Sequence, residues 1–200
     1  MDAIHVPKEG IATKAVRCNN WHGAFPYTPE VRVSLRHDGN NLYLKYEVTE
    51  KYIRAVATHD NDAVWEDSCV EFFIAFDSEG YYNIEANCTG KVLMSHRSGR
   101  DSSVEYATTE ILDSIQREPS LGVEPFATRK AQGQWILILS IPTTSFFKHN
   151  LKSFDGLEAQ CNIYKCGDKL PEAHFLSYFP IHTTAPDFHR PDFFGKIVFT

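Results

Sequence analysis

The feature that most constrains the fold is a pair of alternating segments near the middle of the chain, residues 70–76 (VEFFIAF) and 81–87 (YYNIEAN). Successive side chains of a β-strand point to opposite faces, so each segment places an apolar row on one face. The turn-forming sequence DSEG between them predicts an antiparallel hairpin. In that hairpin Glu71 and Glu85 share the face opposite the apolar row. Two close carboxylates are costly to bury without partners, which indicates a site for a ligand or a hydrogen-bonding partner.

Short alternating segments separated by turn signals continue along most of the chain. Besides the central hairpin, strands are predicted at 31–36, 42–48, 92–94, 124–130, 135–141, 158–166, 174–179 and 196–199. Residues 1–28 are predicted to be irregular, residues 109–115 to form a helical turn or an edge strand, and residues 144–149 a short helix. The pattern predicts an all-β protein, an antiparallel β-sandwich of the immunoglobulin or jelly-roll kind with a few short helical turns. No repeat, low-complexity tract or linker divides the sequence, so one domain over residues 1–200 is expected.

Composition and charge exclude several classes of function. The formal net charge is −6, whereas binding to a phosphate backbone needs a basic surface, so no nucleic-acid partner is expected. No apolar run approaches the ~20 residues that a membrane-spanning helix needs. The first twenty residues show no basic segment followed by an apolar one, which predicts a cytoplasmic location without a secretory leader. A leader upstream of this sequence would instead indicate a periplasmic or secreted protein.

No cofactor is expected, although two groups of residues are alternative candidates for binding a metal ion. The five cysteines, at positions 18, 69, 88, 161 and 166, are odd in number and include no Cys-x-x-Cys pair. We interpret them as reduced structural thiols, with one disulfide or a metal site as the alternatives. The polar loop at 58–62 offers Asp60 and Asp62 as oxygen ligands for calcium. Its spacing does not match the twelve-residue EF-hand loop, so a solvated loop is the favoured interpretation.

Three stretches resemble carbohydrate-binding module family 9: residues 65–71 (WEDSCVE), residues 81–87 with Gly90, and residues 188–195 (FHRPDFFG). The predicted hairpin at 31–48 and the strand at 135–141 fall in the expected order, so the resemblance covers nearly the whole chain. It is closest to stand-alone bacterial members of the Bacteroides type. The family fold is a β-sandwich, and its best-known members bind reducing ends of glucans or xylans and simple sugars. The resemblance therefore implies non-catalytic carbohydrate binding linked to carbohydrate catabolism, free or beside a glycoside hydrolase.

The resemblance also assigns roles to individual residues. Trp65 falls at one aromatic wall of the family's sugar slot and Phe188 at the opposite wall, where flat rings stack on a sugar face. Glu71 stands where the family has a carboxylate that accepts hydrogen bonds from sugar hydroxyls, and Asn87 matches an amide on the neighbouring strand. Each aromatic residue also has a structural interpretation. Trp65 could instead anchor its loop, and Phe188 could instead pack in the core. Asn162, on the polar face of the strand at 158–166, is a further candidate for a ligand contact.

Glu85 departs from the family pattern, because the sugar-binding members carry an arginine at its place. An acid cannot replace a bidentate cationic donor without changing the chemistry of the slot. His189, Arg190 or Lys165 could restore the positive charge. His189 is accordingly a candidate ligand contact, with a structural latch as its alternative.

Two other classes of function remain as alternatives. Glu71 and Glu85 could act as the acid and the nucleophile or base of a glycoside hydrolase, which needs carboxyl groups about 5–9.5 Å apart. Some relatives of the fold bind haem through a methionine and a histidine. Met94 and His96 are too close along one strand to be opposite axial ligands, so haem would require a more distant histidine.

Overall fold

The alternating segments become strands in the computed structural model, which describes residues 2–200. In chain order they are β1 (Ile4–Val6), β2 (Ala12–Ala15), β3 (Glu30–His37), β4 (Asn41–Thr49), β5 (Tyr52–Ala55), β6 (Cys69–Ala75), β7 (Tyr81–Asn87), β8 (Val92–Arg97), β9 (Glu105–Tyr106), β10 (Gln116–Pro119), β11 (Phe126–Lys130), β12 (Gln134–Pro142), β13 (Glu158–Cys166), β14 (Phe175–Ser177) and β15 (Gly195–Phe199). Within residues 2–200, helical structure is limited to α1 (Thr109–Ser114) and 3-10 turns at Val64–Glu66, Thr143–Ser145 and Pro191–Phe193. None of these described helices has the length and apolar character needed to cross a membrane.

Two sheets pack against each other. The larger has the order β1-β15-β13-β6-β7-β8-β9, with β14 also paired to β13, and the smaller has the order β10-β12-β4-β3-β2. β5 and β11 form a separate ribbon. Across the part of the chain described, strand pairing is antiparallel except between β1 and β15. The prediction of an all-β antiparallel sandwich with a few short helical turns is confirmed.

The main core lies between the two sheets. β6 contributes Phe72 and Ile74, β7 contributes Ile84, and β4 contributes Leu44 and Val48, all of them buried. Burying one such side chain contributes about 1.5–3 kcal/mol, so a register slip of one residue in any of these strands would be strongly unfavourable. The core thereby fixes which side chains of the larger sheet point outward.

The outward face of the larger sheet is also covered. A second apolar cluster packs on it, formed by outward side chains of the sheet and by the loops around residues 21–25 and 181–194; it includes Trp21, Phe73, Tyr164, Phe188 and Phe194. We call this cluster the aromatic layer. Glu71 and Glu85 lie on the same face as Phe73 but line an open cleft rather than this layer.

The hairpins predicted at 31–48 and 70–87 are confirmed. The prediction that residues 1–28 are irregular is wrong, since they contain β1 and β2. β1 has only three residues and pairs with the last strand, β15, so its formation depends on a distant partner rather than on local alternation. Residues 109–115 take the helical alternative as α1.

Candidate ligand-binding cleft

A cleft of about 330 Å³ opens on the outward face of the larger sheet, beside the aromatic layer. Of the residues that the sequence proposed for ligand binding, it brings together Trp65, Glu71, Glu85, Phe188 and His189. The other side chains that line it are Leu93, Arg97, Arg100, Tyr106, Cys166, Asp168, Phe175, Pro186 and Asp187. The cleft therefore combines aromatic rings, carboxylates and guanidinium groups, as sites for polar small molecules do.

Glu71 and Glu85 form the floor of the cleft. The register of β6 and β7 places them directly opposite each other, and they are only 3% and 4% exposed. Asn83 Nδ2 donates a hydrogen bond to Glu85 Oε1 at 2.8 Å, and Cys166 Sγ donates one to Glu71 Oε1 at 3.0 Å. Within residues 2–200 no other hydrogen bond reaches these two carboxylates. The second oxygen of each is thus left to a ligand or to water.

Burial raises the pKa of the carboxyl groups in the cleft. Burial is the main cause for Glu85, whose pKa rises to about 7 although the nearby Arg97 opposes the rise. The pKa of Glu71 lies well above its ordinary value because of burial and, next, repulsion from Glu85. Burial and then Glu66 raise the pKa of Asp168 to about 6. The floor therefore retains protons near neutral pH that exposed carboxylates would have lost.

Arg97 provides positive charge that the sequence analysis did not assign. β8 extends to residue 97 and sets Arg97 opposite Tyr81, on the outward face. Arg97 lines the cleft, and among residues 2–200 its buried Nε has no hydrogen-bond partner. Alternation along β8, with Leu93 outward and Arg97 four residues later, was a usable signal. The strand predicted at 92–94 stops short of this residue.

Two of the three residues proposed as the source of positive charge lie elsewhere. Lys165 is fully buried on the core side of β13, where its Nζ lies 3.0 Å from a carboxylate oxygen of Glu50. Arg190 does not line the cleft, and its guanidinium pairs with Asp192 at 2.6 Å. Both proposals are corrected by the structure, because strand parity turns Lys165 inward and a local ion pair holds Arg190.

His189 is the third proposed source, and it lines the cleft as a neutral ring. Burial and then the positive charges of Arg97 and Arg100 lower its pKa to about 4. Its Nδ1 is hydrogen-bonded to the Tyr81 hydroxyl at 2.9 Å. His189 can therefore exchange hydrogen bonds with a ligand but adds no charge near neutral pH.

Trp65 forms the exposed aromatic wall. It lies in the 3-10 turn Val64–Glu66, which Val64 anchors in the aromatic layer. The Trp65 carbonyl accepts a hydrogen bond from the Asp168 amide at 3.2 Å, and the Glu66 carbonyl accepts one from the Lys169 amide at 3.2 Å. The backbone is held on both sides while 37% of Trp65 remains exposed, so the indole offers a firmly placed apolar face.

Phe188 contributes a more deeply buried wall. Its ring stacks on Tyr164 with centroids 4.2 Å apart and an interplanar angle of 7°, and only 8% of the residue is exposed. The Tyr164 hydroxyl donates a hydrogen bond to the Phe188 carbonyl at 3.1 Å. One ring face is therefore occupied by Tyr164, which gives Phe188 both the packing role and the place in the cleft that the sequence left as alternatives.

Asn87 and Asn162 do not line the cleft. Asn87 donates to Asp67 Oδ2 at 2.9 Å, and its Oδ1 accepts from the amides of Thr89 and Lys91, so it organises the turn after β7. Asn162 is fully buried and is hydrogen-bonded through both amide atoms to the backbone of Phe179. Both residues lie on the strands predicted for them, but their amides are hydrogen-bonded within the protein rather than directed into the cleft.

The carboxylates of the 58–62 loop are engaged by protein groups. Asp60 accepts hydrogen bonds from Arg117 Nη1 at 2.7 and 2.8 Å, and Asp62 accepts them from the amides of Thr58 and His59. These contacts hold the loop in place.

Met94 and His96 point away from the cleft. Met94 is fully buried in the core between the sheets, and His96 packs on the Tyr82 ring with centroids 4.8 Å apart. Both side chains contribute to packing on the inner side of β8.

Fold and cleft together define a β-sandwich protein with an aromatic-walled cleft lined by carboxylate and guanidinium groups. The chain belongs to carbohydrate-binding family 9, whose family model matches residues 2–199. A search of curated proteins finds no match.

Three solved structures are similar to this one. A proposed carbohydrate-binding protein from Bacteroides uniformis ATCC 8492 is 37% identical, with a TM-score of 0.92, over 100% of this chain and 98% of that one. A family 9 module from Caldicellulosiruptor kristjanssonii in complex with cellotriose is 13% identical, with a TM-score of 0.58, over 99% and 93% of the two chains. A family 9 module from the same organism in complex with glucose is 14% identical, with a TM-score of 0.54, over 100% and 96%. The two more distant structures support the shared fold.

Proposed function

We propose that this protein binds a monosaccharide or the end of an oligosaccharide in the cleft between Trp65 and Phe188, without catalysing a reaction on it. The observation that carries the proposal is the open floor, where Glu71 and Glu85 each keep an oxygen free of protein hydrogen bonds. Sugar hydroxyls are hydrogen-bond donors that such oxygens accept. Membership of carbohydrate-binding family 9 supports the same ligand class.

The remaining lining residues complete the recognition of a sugar ring. Trp65 presents an apolar face on which the C–H groups of a pyranose can pack. Arg97 offers guanidinium donors to ring or hydroxyl oxygens, which supplies from β8 the cationic donor that Glu85 does not provide on β7. The cleft, at about 330 Å³, lies at the small end of ligand sites, which favours one or two sugar rings over a long chain.

We extend the proposal to carbohydrate catabolism, in which the protein would hold a glycan end beside a glycoside hydrolase. Recognition of a chain end suits such a role because new ends are formed as a polymer is degraded.

The size of the cleft predicts how affinity depends on chain length. If one or two rings fill the cleft, affinity for cello- or xylo-oligosaccharides should stop increasing at the disaccharide. Isothermal titration across the length series measures this directly.

Sugar titration tests the proposal itself. Glucose, xylose, cellobiose and xylobiose should change the intrinsic fluorescence, because Trp65 is the exposed tryptophan, whereas Trp21 and Trp135 are buried. The change should saturate with a single binding constant. A broad glycan array on which the protein binds nothing would refute carbohydrate binding.

Trp65→Ala should weaken the binding of any sugar found in that titration by about tenfold, since lost aromatic contact is worth about 0.5–1.5 kcal/mol beyond the buried area. Trp65→Phe should recover part of the affinity. Val123→Ala removes an exposed apolar side chain outside the cleft and serves as the matched control. Equal affinities for Trp65→Ala and the wild type, measured by calorimetry, would remove Trp65 from the site.

A further inference from the structure

Three metal-ligating atoms converge at the inner end of the cleft floor. The two Sγ atoms of Cys69 and Cys166 and a carboxylate oxygen of Glu71 all lie within 4.8 Å of one another. Cys69 and Cys166 are directly opposite each other in β6 and β13, and Glu71 follows Cys69 by two residues on the same face. All three side chains are buried, while Glu71 and Cys166 also line the cleft.

This environment differs from that of another buried cysteine of the same strand. Cys161 lies in β13 but on the opposite face, in the apolar core between the sheets. Cys69 and Cys166 instead face each other and a carboxylate, with Cys166 Sγ 3.0 Å from Glu71 Oε1. A thiol is only a weak hydrogen-bond donor and acceptor, whereas two thiolates and a carboxylate are good ligands for one metal ion.

We propose that Cys69, Cys166 and Glu71 bind a thiophilic divalent metal ion, with zinc as the best match. Two thiolates select zinc-like ions over calcium or magnesium, which prefer all-oxygen sites. Three protein ligands leave a fourth tetrahedral position, and the openness of the cleft beside Glu71 and Cys166 lets water or a ligand oxygen occupy it.

The geometry requires only small movements of side chains. Zinc binds sulfur at about 2.3 Å and carboxylate oxygen at about 2.0–2.2 Å, so its tetrahedral ligand atoms lie roughly 3.3–3.8 Å apart. The donor atoms here are already within 4.8 Å, and the backbone of both strands is fixed by the sheet. Cys166 Sγ and Glu71 Oε1 are 3.0 Å apart, so rotation about side-chain bonds has to widen this pair slightly and bring the other pairs, at most 4.8 Å apart, to the tetrahedral spacing.

Charge and protons balance in the proposed step. Metal binding releases the thiol protons of Cys69 and Cys166, and that of Glu71 where present, to solvent. A divalent ion with two thiolates and one carboxylate carries a net charge of −1. Lys165, beside Cys166 on the other face of β13, and Arg97 in the cleft place positive charge on either side of it. No oxidant or co-reactant is involved.

Anaerobic titration of the full chain with Co²⁺ under a non-thiol reductant tests the site. The expected result is one Co²⁺ per chain, with a near-ultraviolet thiolate-to-metal charge-transfer band and the visible bands of tetrahedral Co²⁺, both lost when Zn²⁺ is added. This measurement on the wild type needs neither a variant nor a sugar, so its outcome is independent of the sugar titration. A wild-type protein that shows no charge-transfer band at saturating Co²⁺ would overturn the proposal.

Variants assign the ligands. Cys69→Ser and Cys166→Ser should each lose at least half of the charge-transfer intensity and weaken Co²⁺ binding at least tenfold, whereas Cys161→Ser should match the wild type. Far-ultraviolet circular dichroism verifies that each variant is folded. Charge-transfer intensity that survives in a folded Cys69→Ser, Cys166→Ser double variant would place the metal elsewhere and refute the assignment.

Discussion

Glu50→Gln should lower the free energy of unfolding by about 3–5 kcal/mol, the cost typical of leaving one partner of a buried ion pair uncompensated. Lys165 and Glu50 are buried, and Lys165 Nζ lies 3.0 Å from a carboxylate oxygen of Glu50. Trp135 Nε1 also donates to Glu50 Oε1 at 2.7 Å. Glutamine preserves the shape and an acceptor for Trp135, so the loss isolates the missing negative charge opposite the lysine.

The matched variant Lys165→Met should cost less than Glu50→Gln. His174 lies beside both charges, with its Nε2 2.8 Å from Lys165 Nζ and 3.5 Å from a Glu50 oxygen. Burial, followed by the positive charge of Lys165, lowers the pKa of His174 to about 2. Removing the lysine removes that repulsion, so His174 can take up a proton and compensate Glu50. Urea unfolding at pH 6 and pH 8 measures the difference; equal losses for the two variants at pH 6 would contradict this account.

The sequence predicts most of the sheet because the longer strands are amphipathic on their own. β3, β4 and β12 alternate between buried residues and residues that are exposed or half-buried, as burial of one face against the other sheet requires. β6, β7 and β13 are buried on both faces over most of their length, and they were predicted from the apolar row that each sets on its core face. β1 and β5 have three and four residues, and their partners, β15 and β11, lie far away in sequence. Short strands of this kind are selected by tertiary pairing, which a local pattern does not contain.

The cleft residues that lie on strands could be predicted from strand alternation, whereas those that lie on loops could not. Glu71 and Glu85 follow from the hairpin register alone. Arg97 was equally accessible by parity, but the polar sequence after Met94 hides the continuation of β8 beyond the strand predicted at 92–94. Asp168 could not be found, since it enters the cleft only when the 166–169 loop docks on the turn that carries Trp65.

Glu85→Gln should stabilise the protein above pH 7 while it weakens sugar binding. Burial raises the pKa of Glu85 from 4.5 to about 7 in the folded protein. Between these values the folded state holds a proton that the unfolded chain has released, so the contribution of Glu85 to stability is fully present below pH 4.5 and is lost as the pH rises through 7. At about 1.4 kcal/mol per pKa unit, the loss amounts to about 3 kcal/mol. Glutamine stays neutral, so the gain over the wild type should be near zero at pH 4 and approach that value at pH 8.

Urea unfolding between pH 4 and pH 8 measures this gain, and Glu124→Gln, at an exposed position, should leave the pH profile unchanged.

The sugar affinity of Glu85→Gln should change in the opposite direction to its stability. Asn83 Nδ2 donates to Glu85 Oε1, which orients a glutamine with its oxygen toward Asn83 and its NH₂ group into the cleft. A hydroxyl that donated to the carboxylate then meets a donor, and losing a hydrogen bond to a charged group costs about 1.5–3 kcal/mol, or at least tenfold in affinity. Glu85→Gln that binds sugar as tightly as the wild type at pH 8 would show that Glu85 is not an acceptor. A variant no more stable than the wild type at pH 8 would show instead that burial does not destabilise the ionised Glu85. The two measurements belong together, because a buried carboxylate that lowers stability in the empty cleft is one that hydrogen bonds from a ligand would stabilise.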